Sequence, residues 1–136
     1  MILVHATKES EEGRLPSTAE LAAMGAFNEE LAKAGVILDG DGLQPSAKGA
    51  RVLFSGSKAT VVDGPFAETK DLISGYWIWN LPSREKAIEW VKRAPFAEGN
   101  IIEIRPFFEP EDFGRNLTPE LKAKEEALRG RLRTRR

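Results

Sequence analysis

The segment at residues 73–80 is apolar on both of its faces, and this constrains the fold more than any other feature of the chain. In a strand, Tyr76 and Ile78 would lie on one face and Trp77 and Trp79 on the other, because successive side chains alternate. Such a strand must be covered on both sides. Helices of the same chain can cover one side. In a chain of 136 residues the other cover is most simply a second subunit, which predicts a homodimer.

Helices and strands alternate around this segment. Ser17 is a helix N-cap candidate with Glu20 three residues later, as in a capping box, and Gly35 is a typical stop. Two further helices are expected after Ser83 and Thr118. The polar residues 8–15 are predicted to form a loop. Strands are predicted at residues 1–7, 36–43, 51–54, 59–62, 73–80 and 101–108, with residues 55–58 as the four-residue loop of a hairpin.

The order of these elements predicts an α+β fold. It runs strand, helix, strand, inserted hairpin, strand, helix, strand, tail helix. Without the hairpin this is the split βαβ arrangement of ferredoxin-like domains. We expect this domain to span residues 1–110, and a helical tail over residues 111–136 to pack on the body or on the partner subunit.

Composition excludes several classes of function. Cys is absent, so disulfides, thiolate catalysis and cysteine-ligated metal are excluded. The sequence contains no apolar run of about 18 residues, so no membrane span is predicted. The N-terminus lacks the basic region and cleavage site of a signal peptide, which favours a cytoplasmic protein. Residues 117–136 are rich in Lys and Arg but lack aromatic side chains for stacking, so direct binding of nucleic acid is not expected.

Neither a metal site nor a cofactor is predicted. One histidine with scattered carboxylates has no ligand spacing typical of a transition-metal site. Two Asp-Gly pairs at residues 39–42 suggest a bent strand end, because the further carboxylates and distal Glu of a twelve-residue calcium loop are missing.

Residues 63–70 read DGPFAETK and form a stiff turn. Pro65 disfavours the α region for Gly64, which is therefore extended or in a positive-φ conformation open only to glycine. Asp63 can cap nearby amides. Phe66 is then an aromatic ring on a rigid loop, which suits ligand binding because little entropy is lost. In the alternative reading the turn is only structural: Asp63 satisfies its own loop and Phe66 fills the core beneath it.

With its flanking segments this stretch resembles the YCII-related family, in its DGPF-domain branch. The further matching segments are Glu-Leu at 30–31, Ala-Gly-Val at 34–36, Gly-Asp-Gly-Leu-Gln-Pro at 40–45 and Ile-Arg-Pro at 104–106. The resemblance implies a dimeric α+β barrel, in which small molecules bind in clefts between the sheet and the partner.

The resemblance also bears on function. Some members of the wider family have a His–Asp pair proposed as catalytic, with the His on the first helix. Residues 18–34 of this chain contain no histidine, so that pair does not carry over. Genes of the DGPF branch often lie beside extracytoplasmic-function sigma factors, which implies a non-catalytic regulatory or accessory partner as the alternative class of function.

The candidate site combines the turn with the first and last strands. Glu103 and Arg105 alternate on one strand face, and in a ferredoxin-like sheet this strand neighbours the first one, which carries His5, the only histidine. Arg105 can bind a carboxylate or phosphate in a bidentate manner. Alternatively, the two charges form an ion pair that only fixes the dimer, and His5 is a core or interface residue.

We therefore expect a small-molecule site with a cofactor-free acid–base reaction, namely an elimination, an isomerisation or a hydrolysis. Its acid–base group would be His5 or Asp63, because an imidazole exchanges protons near neutral pH. The predicted ligand-binding residues are Asp63, Gly64, Pro65, Phe66, Glu103 and Arg105.

Overall fold

The computed structural model describes residues 1–134, so Arg135 and Arg136, at the end of the predicted tail, lie outside the described residues. The chain divides into two units, Met1–Arg105 and a second that begins at Pro106. No helix among the described residues is long and apolar enough to cross a membrane.

The first unit contains a four-stranded antiparallel sheet and a separate hairpin. The sheet has the order β2-β5-β1-β6, and β3 pairs with β4 alone. These antiparallel sheets and the helices between them agree with the predicted α+β class. The strands are β1 (Ile2–His5), β2 (Ile37–Gly42), β3 (Ala50–Ser55), β4 (Lys58–Asp63), β5 (Ile73–Trp79) and β6 (Ile102–Ile104).

Side-chain caps set the starts of the helices, as the sequence predicts. The hydroxyl oxygens of Ser17, Ser83 and Thr118 each accept a backbone N–H three residues later, which satisfies a donor that has no partner within the helix. The φ of Gly35, +71°, lets the chain leave the first long helix. The helices are α1 (Lys8–Glu11), α2 (Thr18–Lys33), α3 (Arg84–Lys92) and α4 (Pro119–Arg133).

The core lies between one face of the sheet and helices α2 and α3. Its buried residues include Ile2, Phe27, Leu31, Val36 and Trp77, with side chains of α3 and β6 packed against them. The Trp77 ring meets Phe27 edge-on at 5.9 Å between centroids, and its Nε1–H donates to Asn28 Oδ1 at 2.9 Å. This hydrogen bond satisfies the polar atom of a buried aromatic residue.

The other face of the sheet carries Leu3, which pairs with Tyr76 of β5 on one side and with Glu103 of β6 on the other. A bulge between Val4 and His5 shifts the register, so that His5 is opposite Ile73 rather than Ser74. A bulge changes the direction of the side chains beyond it. The extra residue here is Ser74 of β5, which lies opposite the end of β1 that carries His5.

Three local predictions are wrong. Residues 8–11 form a helix rather than a loop, because Thr7 and Ser10 cap each other through reciprocal hydrogen bonds. The hairpin loop has two residues, not four, since Ser55 pairs with Lys58 and Gly56 adopts a φ of +58°. The last strand ends at Ile104, short of the predicted residue 108, where its pairing with β1 ends. Pro106 predicts an edge strand or an irregular end, because it has no N–H to extend the ladder, and β6 is indeed an edge strand.

The second unit is built from a 3₁₀ segment, Pro110–Asn116, and the helix α4. The rings of Phe108 and Phe113 lie 5.0 Å apart within it. Leu121, Leu128 and Leu132, the predicted apolar stripe of α4, are each about half exposed.

Candidate functional site

Three side chains from β1 and the last strand form a connected polar cluster. His5 Nε2 lies 2.9 Å from Glu103 Oε1, and the other carboxylate oxygen accepts a hydrogen bond from Arg105 Nη1 at 3.1 Å. The pairing of Leu3 with Glu103 across β1 and β6 places the Glu103 carboxylate within reach of His5 at the end of β1 and of Arg105 just beyond β6. The carboxylate is therefore shared between an imidazole and a guanidinium.

The charge state of Glu103 determines the tautomer of His5. The hydrogen bond from His5, followed by that from Arg105, lowers the pKa of the Glu103 carboxyl below its ordinary value. Glu103 is therefore ionised at neutral pH, and an ionised carboxylate only accepts hydrogen bonds. Nε2 must then carry the hydrogen and donate it. Within residues 1–134 no protein group bonds to Nδ1, so Nδ1 is left as the basic atom of the ring.

His5 lines two clefts. The smaller, about 340 Å³, lies between residues 5–9 and Thr69, Lys70 and Gly99. The larger, about 550 Å³, extends past Arg14, Met24 and Phe96. The side chain of His5 is 22% exposed, so the imidazole is held by the fold but still open to a small molecule.

The DGPF turn lies against the segment at residues 46–51. The Phe66 N–H donates to Ser46 Oγ at 3.1 Å, and the Gly64 N–H donates to the Gly49 carbonyl at 3.0 Å. Asp63 is exposed, and its side chain has no hydrogen-bond partner within residues 1–134. The turn is therefore stabilised by contacts with a distant segment, and the expected capping by Asp63 is absent from the described residues.

Gly64 is required for close packing and not for a left-handed backbone. Its φ does not lie in the positive region, so of the two predicted conformations the positive-φ one is wrong. A Cβ at this position would overlap the carbonyl of Ser46 and lie 3.2 Å from Ala47 N. The peptide bond between Gly64 and Pro65 is cis.

Phe66 lines a different cavity from the two beside His5. It is half-buried, and the guanidinium carbon of Arg51 stacks 3.9 Å from the centre of its ring. The cavity that these two residues share, of about 460 Å³, also takes in Glu11 and Ser46. The structure thus brings His5, Glu103 and Arg105 together, while the other predicted ligand-binding residues lie on the DGPF turn, which packs elsewhere.

Sequence reasoning did not identify several residues that line these cavities. Thr69 and Lys70 belong to the recognised stretch, but the sequence does not show that they lie beside His5. Glu11 could have been found from the capping pattern of Thr7 and Ser10, which places it in a helix. Nothing local indicates that Ser46 and Arg51 contact Phe66, because those contacts join parts of the chain that are distant in sequence.

Among residues 1–134 there is no group of three or more His, Asp or Glu side chains that could hold a metal ion. The site is instead defined by an imidazole paired with a carboxylate at the end of an antiparallel sheet whose opposite face carries the helices. These features describe an α+β protein with a small polar cleft.

The chain belongs to the YCII-related family, because the model of the YCII-related domain matches residues 1–111. The match covers all of the first unit, including the hairpin and the DGPF turn, and extends into the start of the second. No curated protein matches the chain.

Proposed function

We propose that the protein binds a small molecule in the cleft beside His5 and transfers a proton to or from it through the imidazole. The observation that carries this proposal is the 2.9 Å bond between His5 Nε2 and Glu103 Oε1. A carboxylate that holds one ring nitrogen orients the ring and stabilises the imidazolium that forms when the other nitrogen takes a proton.

In the proposed mechanism His5 Nδ1 acts as the base. It removes a proton from a ligand held in the cleft, and the resulting positive charge is stabilised by the Glu103 carboxylate. Return of that proton to another atom of the ligand completes an isomerisation. Delivery of the proton to a leaving group completes an elimination. Where His5 instead takes its proton from a water molecule, the water oxygen bonds to the ligand, the bond to the leaving group breaks, and transfer of the proton from His5 to that group completes a hydrolysis. Arg105 does not line either cleft, but its hydrogen bond to Glu103 Oε2 helps to keep that carboxylate ionised.

We also propose that the protein is a ferredoxin-like domain of the DGPF branch that forms a homodimer. The strand order β2-β5-β1-β6, with the hairpin set aside, supports a ferredoxin-like domain. The residues Leu3, Tyr76 and Ile78 on the open sheet face support a homodimer in which two such faces form a barrel. Membership of the DGPF branch is supported by the stretch at residues 63–70.

Deuterium wash-in tests proton abstraction without knowledge of the natural substrate. Small carbonyl compounds with acidic C–H bonds, such as oxaloacetate and dihydroxyacetone, would be incubated with the protein in D₂O and followed by NMR. We expect exchange above the buffer rate for at least one compound, and its loss in His5→Gln, since general-base catalysis contributes about 10²–10⁴-fold. Glu85→Gln, at an exposed position, is the control.

Asp63→Asn is the second arm, because Asp63 is the other predicted acid–base group. Exchange that disappears in Asp63→Asn and persists in His5→Gln would show that the acid–base group is Asp63 on the DGPF turn and not His5. Exchange that is equal in the wild type and both variants would contradict an acid–base role for either residue.

A specific feature favours a second candidate function, that of a non-catalytic partner of another protein. Every residue of the hairpin strands β3 and β4 is exposed, and Phe54 is 83% and Val61 63% exposed. Exposed apolar side chains that lie together are typical of a surface for protein contact. The partner that the family resemblance implies is an extracytoplasmic-function sigma factor.

Affinity measurement separates this candidate from the first. The protein would be titrated with a purified extracytoplasmic-function sigma factor of the same organism. We expect binding that is lost in Phe54→Lys and retained in His5→Gln. If neither the wild type nor any variant binds, the accessory role is contradicted.

A further inference from the structure

The cavity beside the DGPF turn has its own set of polar groups and does not include His5. It has a volume of about 460 Å³ and lies between the segment at residues 43–51, the ring of Phe66 and the short helix α1. Volumes of this size are typical of sites for small molecules.

Glu11 supplies an acceptor that lacks a partner. One of its carboxylate oxygens, Oε2, accepts the Ser46 N–H at 2.8 Å. The other, Oε1, is buried and has no hydrogen-bond partner among residues 1–134. A buried polar atom without a partner is unfavourable, so a donor brought by a ligand would stabilise this arrangement.

Arg51 supplies donors on the same cavity. Its guanidinium carbon lies over the Phe66 ring, 3.9 Å from the ring centroid. The group makes no hydrogen bond to another residue of the described chain, 1–134, so its N–H groups remain free to bind an anion. A guanidinium presents paired N–H groups that match the geometry of a carboxylate.

The charges around the cavity come in both signs. Glu11 and Asp71 are acidic, and Lys48 and Arg51 are basic. Such a lining favours a ligand that carries both charges over a simple cation or anion. We propose that this cavity binds a small amino-acid-like zwitterion, with its ammonium group on Glu11 and its carboxylate on Arg51.

The walls of the cavity are preformed. The Phe66 N–H is bonded to Ser46 Oγ, and the Gly64 N–H to the Gly49 carbonyl. Gly64 also packs so closely on Ser46 that no side chain fits between them. A ligand therefore orders little of the protein when it binds. The DGPF turn would thus have a binding role that is independent of the reaction proposed at His5.

The test uses three probes and the backbone amides of Ser46 and Phe66 as NMR reporters. The probes are 4-aminobutyrate, which carries both charges, butylamine, which has only the ammonium group, and butyrate, which has only the carboxylate. We expect 4-aminobutyrate to shift both amides saturably and to bind at least tenfold more tightly than either single-charge probe.

Matched variants assign the two ends of the ligand. Glu11→Gln keeps an oxygen for the Ser46 N–H but turns the free atom into a donor, so it should weaken 4-aminobutyrate binding tenfold or more. Glu12→Gln, on the neighbouring exposed residue, should have no effect. Arg51→Gln should weaken binding similarly, and Lys58→Gln, at the other end of the hairpin, should not.

Two results would overturn the proposal. One is the absence of any saturable shift at probe concentrations up to about 10 mM, which would mean affinity weaker than that of ordinary small-molecule sites. The other is equal binding by Glu11→Gln and Glu12→Gln. His5→Gln should leave the titration unchanged, so failure here and failure of the reaction at His5 are separate outcomes.

Discussion

The carboxylate of Glu103 connects the imidazole of His5 to the guanidinium of Arg105. Because hydrogen bonds from both neighbours lower its pKa, its interactions stabilise the folded protein above the pKa of an unfolded glutamate. This contribution is lost as the pH falls through the lowered pKa. The hydrogen bonds of Glu103 to His5 and Arg105 therefore make the stability of the folded protein dependent on pH in the acidic range.

Glu103→Gln tests this dependence. We expect the variant to be less stable than the wild type at neutral pH, and the difference in unfolding free energy to shrink toward zero as the pH falls below the range of an ordinary glutamate. Denaturant titrations at several pH values measure it. The control is Glu29→Gln, at an exposed position on α2 that has no ion pair among the described residues. A difference that is constant with pH would show that the pair does not hold Glu103 ionised.

Gly64 illustrates why a single residue can be essential without a special backbone angle. Gly64→Ala should destabilise the protein by about 1–3 kcal/mol, because the added methyl group overlaps the backbone of Ser46. Gly49→Ala is the matched control, since its Cβ would meet Ser46 at an ordinary 3.5 Å. Thermal unfolding compares the two, and equal melting temperatures would contradict the close contact.

Among the elements, β2 and β5 are joined by an unusually close approach. A Cβ on Gly40 would lie 2.5 Å from Trp77 Cδ1 and 3.1 Å from the Tyr76 carbonyl oxygen, so the Trp77 ring occupies the space above that glycine. A glycine within a strand commonly marks such a position.

Gly40→Ala should therefore displace the Trp77 ring and destabilise the sheet by about 1–3 kcal/mol. Gly42→Ala, two residues along the same strand and with open space around it, should have little effect on packing. Tryptophan fluorescence and urea unfolding measure the two changes. An unchanged spectrum in Gly40→Ala would mean that Trp77 does not pack there.

Element boundaries could be predicted where a local signal exists. The helix starts after Ser17, Ser83 and Thr118 could be predicted because a Ser or Thr directly before a helical pattern is a typical N-cap. In the structure each of these hydroxyl oxygens accepts the backbone N–H three residues later. The sequence does not predict the helix α1, because the polar composition of residues 8–15 favours a loop. Its capping residues, Thr7 and Ser10, are nevertheless a local signal of the same kind. The length of the hairpin loop depends on which residues of β3 and β4 pair with each other, and the strand propensity of single residues does not determine that register.

At the scale of the whole molecule, the two faces of the sheet differ in cover. One face packs on α2 and α3. The other carries Leu3, Tyr76 and Ile78, which are only half-buried in the single chain. An apolar sheet face is stabilised when a second layer covers it, and the proposed homodimer supplies that layer.

Sedimentation tests the proposed dimer. We expect a dimer at micromolar concentration, and a monomer in Ile78→Lys, because a charge would be buried without a partner at the interface. Ala22→Lys, at an exposed position on α2, should remain dimeric. A wild-type monomer under these conditions would contradict the barrel.

The site was predictable to the extent that it follows from topology. Adjacency of the first and last strands is enough to bring His5, Glu103 and Arg105 together, since alternation places all three on one face. The cavity of the DGPF turn was not predictable, because it depends on contacts of Ser46 and Arg51 with residues some 15 to 20 positions away.

The central claim is that Glu103 holds His5 with Nε2 protonated and Nδ1 free to act as a base. Because His5 is the only histidine, the ¹⁵N spectrum of the imidazole reports on it alone. In the neutral ring we expect a hydrogen on Nε2 and none on Nδ1, and a mixture of the two tautomers in Glu103→Gln. A hydrogen on Nδ1 in the wild type, or a spectrum that Glu103→Gln leaves unchanged, would contradict the claim.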